Sequence, residues 1–88
     1  MISMPAQEMK QILELLSQIF EDRTVPKNIR ECAQKSRESL QADKEDLSTR
    51  VEQVVQLLDE ISEDPNMPVY TRTQIWNVVS LLEGMLNN

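Results

Sequence analysis

A ten-residue segment occurs twice in this chain of 88 residues, and this duplication constrains the fold more than any other feature. The first copy is EDRTVPKNIR, residues 21–30, and the second is EDPNMPVYTR, residues 63–72. In each, Glu-Asp and one further residue are followed by a helix-capping residue, an apolar residue, a proline and, four residues after the proline, an arginine. The offset of 42 residues holds without a gap from residues 9–40 onto residues 51–82. A period near 40 residues is typical of a helical-hairpin repeat.

The predicted fold is all-α, a four-helix bundle made of two HEAT-like helical hairpins related by the internal repeat. One glycine and 3% aromatic residues suit packed helices better than sheets. Apolar residues recur with a helical period in four segments. We expect one domain over residues 1–88, with hairpin unit 1 at about residues 4–41 and unit 2 at about residues 46–86.

Capping residues and prolines predict where the helices begin. Helix 1 is expected from Met4 to Phe20, with Ser3 as cap and Pro5 in the first turn, and helix 2 from Val25, with Thr24 as cap. Helix 3 is expected from near Leu47, with either Asp46 as cap or a Thr49–Glu52 capping box. Helix 4 is expected from Met67 to about Glu83, where either Gly84 ends it or the helix frays through Leu86.

Composition narrows the class of function. A net charge of −6 argues against a general binder of nucleic acid or anionic membranes. No apolar run is long enough to cross a bilayer, and the N-terminal residues do not resemble a secretory signal. The chain has one cysteine, Cys32, so no internal disulfide forms, and a cytoplasmic location is expected.

The residue types of common catalytic sites are missing. Histidine is absent, which removes the usual general base and the His-dependent nucleophile pairs. A single glycine cannot form a phosphate-binding loop. Acidic residues cluster at helix ends, where solvated carboxylates are the ordinary outcome. We therefore predict a non-enzymatic protein with no cofactor and no metal.

The duplicated turns are expected to shape the fold. The residues assigned to this structural role are Asp22, Pro26, Arg30, Asp64, Pro68 and Arg72. Each aspartate is placed to accept hydrogen bonds at the start of the following helix. Each arginine lies one turn later and is predicted to reach the other unit's turn, as either Asp64 with Arg30 or Asp22 with Arg72. The alternative is that both arginines face water.

Helix 4 carries apolar residues that its repeat-mate lacks. Trp76, Val79 and Leu81 correspond to polar residues, which are Gln34, Arg37 and Ser39. Helix 4 therefore either packs at the centre of the bundle or presents a partner face, and these two alternatives are compatible. We predict a protein–protein interaction module, either a homodimer through helix 4 or a complex with an unidentified protein partner.

The alternative function is a nucleic-acid-associated factor that uses the basic helix 2. Its cations are Arg23, Lys27, Arg30, Lys35 and Arg37. No aromatic residue is interleaved to stack on bases, which weakens this alternative.

Three segments carry a resemblance to known families. These are Val25 to Arg30, the DPNMP segment at residues 64–68, and residues 71–76, which contain Thr-Arg-Thr and Ile-Trp. They resemble a small archaeal group, uncharacterised protein family 0147, and this resemblance covers nearly the whole chain. The two hairpin units more distantly resemble degenerate HEAT-type repeats. The resemblance to family 0147 implies a compact four-helix protein, archaeal and cytoplasmic, with no assigned activity. Relatives often have a histidine where this chain has Tyr70.

Overall fold

The computed structural model describes residues 6–86, which form four α-helices. The helices are α1 at Ala6–Glu21, α2 at Lys27–Gln41, α3 at Leu47–Ile61 and α4 at Val69–Leu86. The prediction of an all-α four-helix bundle is confirmed. The expected cap and first turn of helix 1, at Ser3, Met4 and Pro5, lie outside the described residues.

The four helices close into a ring. Each packs against the helix before it and the helix after it, and α4 completes the ring against α1. The diagonal pairs, α1 with α3 and α2 with α4, bring no Cα atoms within 8 Å of each other in the described residues. Because short turns join neighbouring helices, the topology is up-down-up-down.

This ring differs from the expected HEAT-like stacking. Stacked hairpins would place α1 against α3 and α2 against α4, and they would leave apolar end faces that further units must cover. With only two hairpins, the ring instead turns the apolar stripe of every helix toward one common core. The internal repeat stays a prediction, apart from the likeness of the two turns described below.

One apolar core joins all four helices and both duplicated turns. Its fully buried side chains include Ile12 of α1, Ile29 of α2, Leu58 of α3 and Ile75 of α4. Val25 and Met67, each placed just before the proline of its turn, are also buried. Burial of each such side chain contributes roughly 1.5–3 kcal/mol to folding, so the turns are anchored as firmly as the helices.

Several helix ends differ from the sequence-based expectations. Asp46 caps α3 as predicted, since its side chain accepts a hydrogen bond from the Thr49 N–H at 2.9 Å. The prediction that Thr24 caps α2 is wrong, because Pro26 occupies the cap position while Val25 inserts into the core. Helix α4 begins at Val69 rather than Met67, for the same reason.

At its other end α4 continues through Leu86. Gly84 does not end it, since this residue has no positive φ. Within residues 6–86, no helix combines the length and the hydropathy that crossing a membrane requires.

Candidate functional site

The two duplicated turns form the same hydrogen bonds. The Asp22 carboxylate accepts a hydrogen bond from the Thr24 N–H at 2.9 Å, and the Asp64 carboxylate accepts one from the Asn66 N–H at 2.8 Å. The backbone repeats as well, since Val25 donates to the Asp22 carbonyl and Met67 to the Asp64 carbonyl. Each aspartate therefore accepts a hydrogen bond from the residue two positions later and so stabilises its own turn. Within the described residues, it does not accept from the first N–H groups of the following helix.

Each proline accepts the first backbone hydrogen bond of its helix through its carbonyl. The Arg30 N–H donates to Pro26 and the Arg72 N–H donates to Pro68. Proline has no N–H to leave unpaired and its φ is already suited to this position. The shared Pro-x-x-x-Arg spacing is thus the spacing of one helical turn.

The two turns contact each other through a pair that the sequence analysis did not anticipate. Nδ2 of Asn28 donates to Oδ2 of Asp64 at 2.7 Å, which joins the start of α2 to the α3–α4 turn. Neither predicted pair of aspartate and arginine forms among the described residues. Instead, Arg72 donates to the carbonyls of Ser62 and Asp64, in the turn of its own hairpin.

The two duplicated arginines therefore differ in their contacts. Both are half-buried, but only Arg72 binds its turn. Nε of Arg30 is buried without a hydrogen-bond partner in the described part of the chain. Arg50 is a further structural residue that was not predicted; its side chain donates to the carbonyls of Leu40, at the end of α2, and of Glu45, in the linker, and so ties α3 to both.

Hydrogen bonds lower the pKa of the aspartates at the turns. The hydroxyl and backbone N–H of Thr24 lower the pKa of Asp22. The backbone N–H of Asn66, followed by the Asn28 amide, lowers the pKa of Asp64. These carboxylates are ionised at neutral pH and act as acceptors, which is a structural role.

The three residues of the predicted partner face lie in different environments. Trp76 is 59% exposed, whereas Val79 belongs to the core and is only 8% exposed. Leu81 is half-buried and packs against the core. A separation of three residues turns a side chain by about 60° around a helix, and the boundary of the core falls between Trp76 and Val79.

The exposed surface of α4 is almost uncharged and carries large hydrophobic side chains. Every large hydrophobic residue that is exposed within the described chain lies on this helix: Val69, Tyr70 and Trp76. Of the eight exposed residues of α4, only Glu83 is charged. We define the α4 stripe as five of these exposed residues, Val69, Thr73, Trp76, Ser80 and Glu83.

The exposed surface of α2 is less basic than the number of cations in its sequence indicates. Lys27 forms an ion pair with Glu31 at 3.8 Å, and Glu38 is also exposed. Arg30 and Arg37 are half-buried, and the Nε atom of each lacks a partner in the region described. A phosphate backbone would therefore meet acids interleaved with the cations.

Metal-ligating side chains do not cluster in residues 6–86. The structure brings together no group of three His, Cys, Asp or Glu side chains able to hold a metal ion in this region. Cys32 is buried, its thiol lies 3.8 Å from the Leu57 carbonyl oxygen, and burial raises its pKa. A protonated, buried thiol is a packing residue rather than a nucleophile.

These features define a small all-α bundle with two similar, aspartate-stabilised turns and one helix face that carries exposed aromatic residues and a single charge. The family model described as "Uncharacterised protein family (UPF0147)" matches residues 1–85, and the chain belongs to this family. The resemblance to family 0147 is thereby confirmed. The family name assigns no activity.

Relatives and solved structures support the same assignment. A UPF0147 protein of Methanocaldococcus jannaschii is 46% identical over 90% of this chain and 85% of its own length. One from Methanothermobacter thermautotrophicus is 40% identical over 96% and 82%. Both organisms are archaea.

Two crystal structures are similar in fold. The protein of unknown function MMP1188 has a TM-score of 0.86 and 49% identity, covering 91% of both chains. A UPF0147 protein from Thermoplasma acidophilum has a TM-score of 0.85 and 37% identity, covering 90% of this chain and 93% of its own.

Proposed function

We propose that this chain is a non-enzymatic, cytoplasmic module for protein–protein contact, and that the outer face of α4 is its contact surface. One observation carries the proposal: the large hydrophobic residues that are exposed in the described chain all lie on this helix. Val69 is 81% exposed, Tyr70 69% and Trp76 59%. Tryptophan and tyrosine are the residues that most often anchor protein interfaces.

Packing within the bundle does not account for this face. At the position of α2 that the repeat pairs with Trp76, the chain has Gln34, which is polar. An exposed aromatic residue is therefore not needed at this position for the fold. A partner that covers Trp76 would bury the apolar area of its indole ring, which stabilises the complex. No charge would have to be desolvated next to the indole, because the neighbouring exposed residues of α4 are neutral. The partner is a protein, and a homodimer is one form of such a contact.

The experiment is a capture from the native cytoplasm, treated with nuclease, followed by mass spectrometry. The tagged wild-type chain is compared with Trp76→Ala and with Gln34→Ala, which changes the matching position of the other hairpin. We expect a stoichiometric protein, either an untagged copy of the chain or another polypeptide, that is lost with Trp76→Ala and retained with Gln34→Ala. Loss with neither variant, or with both, contradicts the proposal.

The second candidate is a nucleic-acid contact through α2. The observation in its favour is that Arg30 and Arg37 lie two turns apart, each with an Nε atom that has no hydrogen-bond partner among the described residues. It predicts binding that weakens steeply with salt and is lost in Arg30→Ala and Arg37→Ala. Absence of binding to single- and double-stranded probes at low salt contradicts it.

A further inference from the structure

The α4 stripe has the spacing of a helix-packing seam. Val69, Thr73, Trp76, Ser80 and Glu83 are separated alternately by four and three residues, and all are exposed. This spacing keeps the side chains on one line when two helices pack along each other. The stripe is about 21 Å long at 1.5 Å per residue, and Trp76 lies at its midpoint.

Charge favours a second copy of the chain as the partner. Two molecules with a net charge of −6 repel each other, so they meet most easily where charge is least. One of eight exposed residues is charged on α4, against three of six on α1, four of seven on α2 and three of five on α3. A basic partner would instead be drawn to the exposed acids of α3, which are Glu52, Asp59 and Glu60.

Glu83 indicates the direction of the second helix. It lies in the last turn of α4, where the helix dipole disfavours a negative charge. In an antiparallel pair, Glu83 would approach the first turn of the second copy's α4, where free N–H groups and Arg72 provide positive potential. In a parallel pair it would face the second copy's Glu83, and the two charges would repel.

We propose that a second copy of this chain covers the α4 stripe, in an antiparallel pair whose two-fold axis passes at Trp76. This inference rests on the proposed function, because it names the partner of the same face. Under this axis the tryptophans of the two copies meet, Thr73 faces the second copy's Ser80, and Glu83 reaches the start of the second copy's α4. The contact is isologous, so it closes as a dimer.

A dimer interface of standard size needs more surface than the α4 stripe alone provides. A standard interface buries roughly 800 Å² per subunit, about one seventh of the 5610 Å² accessible surface of this chain. A single helix face about 21 Å long is too narrow for this area. The shallow groove between α1 and α4, next to the stripe, supplies the remainder; it is lined by Gln11, Leu15, Asn77, Ser80 and Leu81.

The first test is sedimentation velocity over a wide range of concentration. We expect a reversible dimer, weakened at least about tenfold by Trp76→Ala and unaffected by Gln34→Ala. Glu83→Lys should weaken the dimer, whereas Glu52→Lys, which changes the net charge equally, should not. Circular dichroism verifies that each variant is folded. Equal effects of the two lysine substitutions would overturn the assigned role of Glu83.

The second test determines direction by disulfide formation, in a Cys32→Ser background. Thr73→Cys and Ser80→Cys chains are mixed in equal amounts and oxidised. The antiparallel axis predicts mainly mixed disulfides between the two variants, and a matched pair on α2, Gln34→Cys with Gln41→Cys, should give none. Predominant pairing of each variant with itself would overturn the antiparallel arrangement.

The outcomes separate this inference from the proposed function. A chain that stays monomeric at every concentration overturns the second copy as partner, but the proposed function stands if Trp76-dependent capture then recovers a different protein. A dimer that survives Trp76→Ala overturns the α4 interface. If capture also recovers no protein, the proposed function fails as well.

Discussion

Asn28, in the first turn of α2, donates from Nδ2 to Oδ2 of Asp64 at 2.7 Å and joins the two duplicated turns across the bundle. The bond spans 36 residues of sequence. At the corresponding position of the other hairpin stands Tyr70, which is exposed. The Asn28–Asp64 bond therefore has no symmetric counterpart among the described residues, and a second bond between the hairpins runs from Nε2 of Gln74 to Oε1 of Gln18 at 3.1 Å.

Replacing Asn28 with alanine should lower the melting temperature, because Oδ2 of Asp64 loses its partner in the other hairpin. The expected fall is smaller than that of a core truncation, since the bond is exposed and water replaces the amide. Differential scanning calorimetry measures it. Gln34→Ala, an exposed position of the same helix, should leave the melting temperature unchanged, and an equal effect of both variants would mean that the bond is not stabilising.

Replacing Arg72 with alanine should destabilise the protein more than replacing Arg30. Arg72 donates to the carbonyls of Ser62 and Asp64, whereas Arg30 does not bind its turn in the described residues. Loss of these charge-assisted hydrogen bonds should cost about 1–3 kcal/mol of unfolding free energy. Urea denaturation of the two variants makes the comparison. An unchanged free energy in Arg72→Ala would show that these contacts contribute nothing.

Acid should weaken the turns. The pKa of Asp64 is lower in the folded protein than in the unfolded chain, where it is about 3.9. Its contribution to stability is therefore complete above that value, and it is lost as the pH falls through the folded-state pKa. Melting temperatures between about pH 6 and pH 2 should fall more steeply for the wild type than for Asp64→Asn.

The control for the acid series is Asp59→Asn. Asp59 is exposed on α3, and its carboxylate accepts no hydrogen bond from the described residues. This variant should keep the wild-type slope. A wild-type slope in Asp64→Asn as well would contradict the assigned role of the Asp64 carboxylate.

Truncation of Val79 should lower the free energy of unfolding, whereas truncation of Trp76 should leave it almost unchanged. Val79→Ala removes buried methyl groups and should cost about 1–2 kcal/mol of unfolding free energy. Trp76→Ala removes an exposed side chain and should change it by less than about 0.5 kcal/mol in the monomer. Chemical denaturation at low protein concentration tests both. A large loss in Trp76→Ala would place the indole in the fold rather than on a contact surface.

The number of helices, the all-α class and the Asp46 cap could be predicted from the sequence, because periodicity and capping chemistry are local. The ring topology could not be predicted, since the same apolar stripes also suit stacked hairpins. Asn28 could not be predicted as the partner of Asp64, since an arginine of opposite charge suited the same position. Trp76 and Val79 looked equivalent because both lack an apolar counterpart, yet the edge of the core separates them.

The central claim, that Trp76 belongs to a contact surface rather than to the core, is tested most directly by fluorescence, because Trp76 is the one tryptophan of the chain. The measurement is the emission maximum, with iodide quenching, in a dilution series that is followed in parallel by sedimentation. If Trp76 lies on the contact surface, its emission should be red-shifted and strongly quenched in the monomer. As the dimer forms, the emission should shift to the blue and become protected from iodide. Blue-shifted, unquenched emission in the isolated monomer would contradict the central claim.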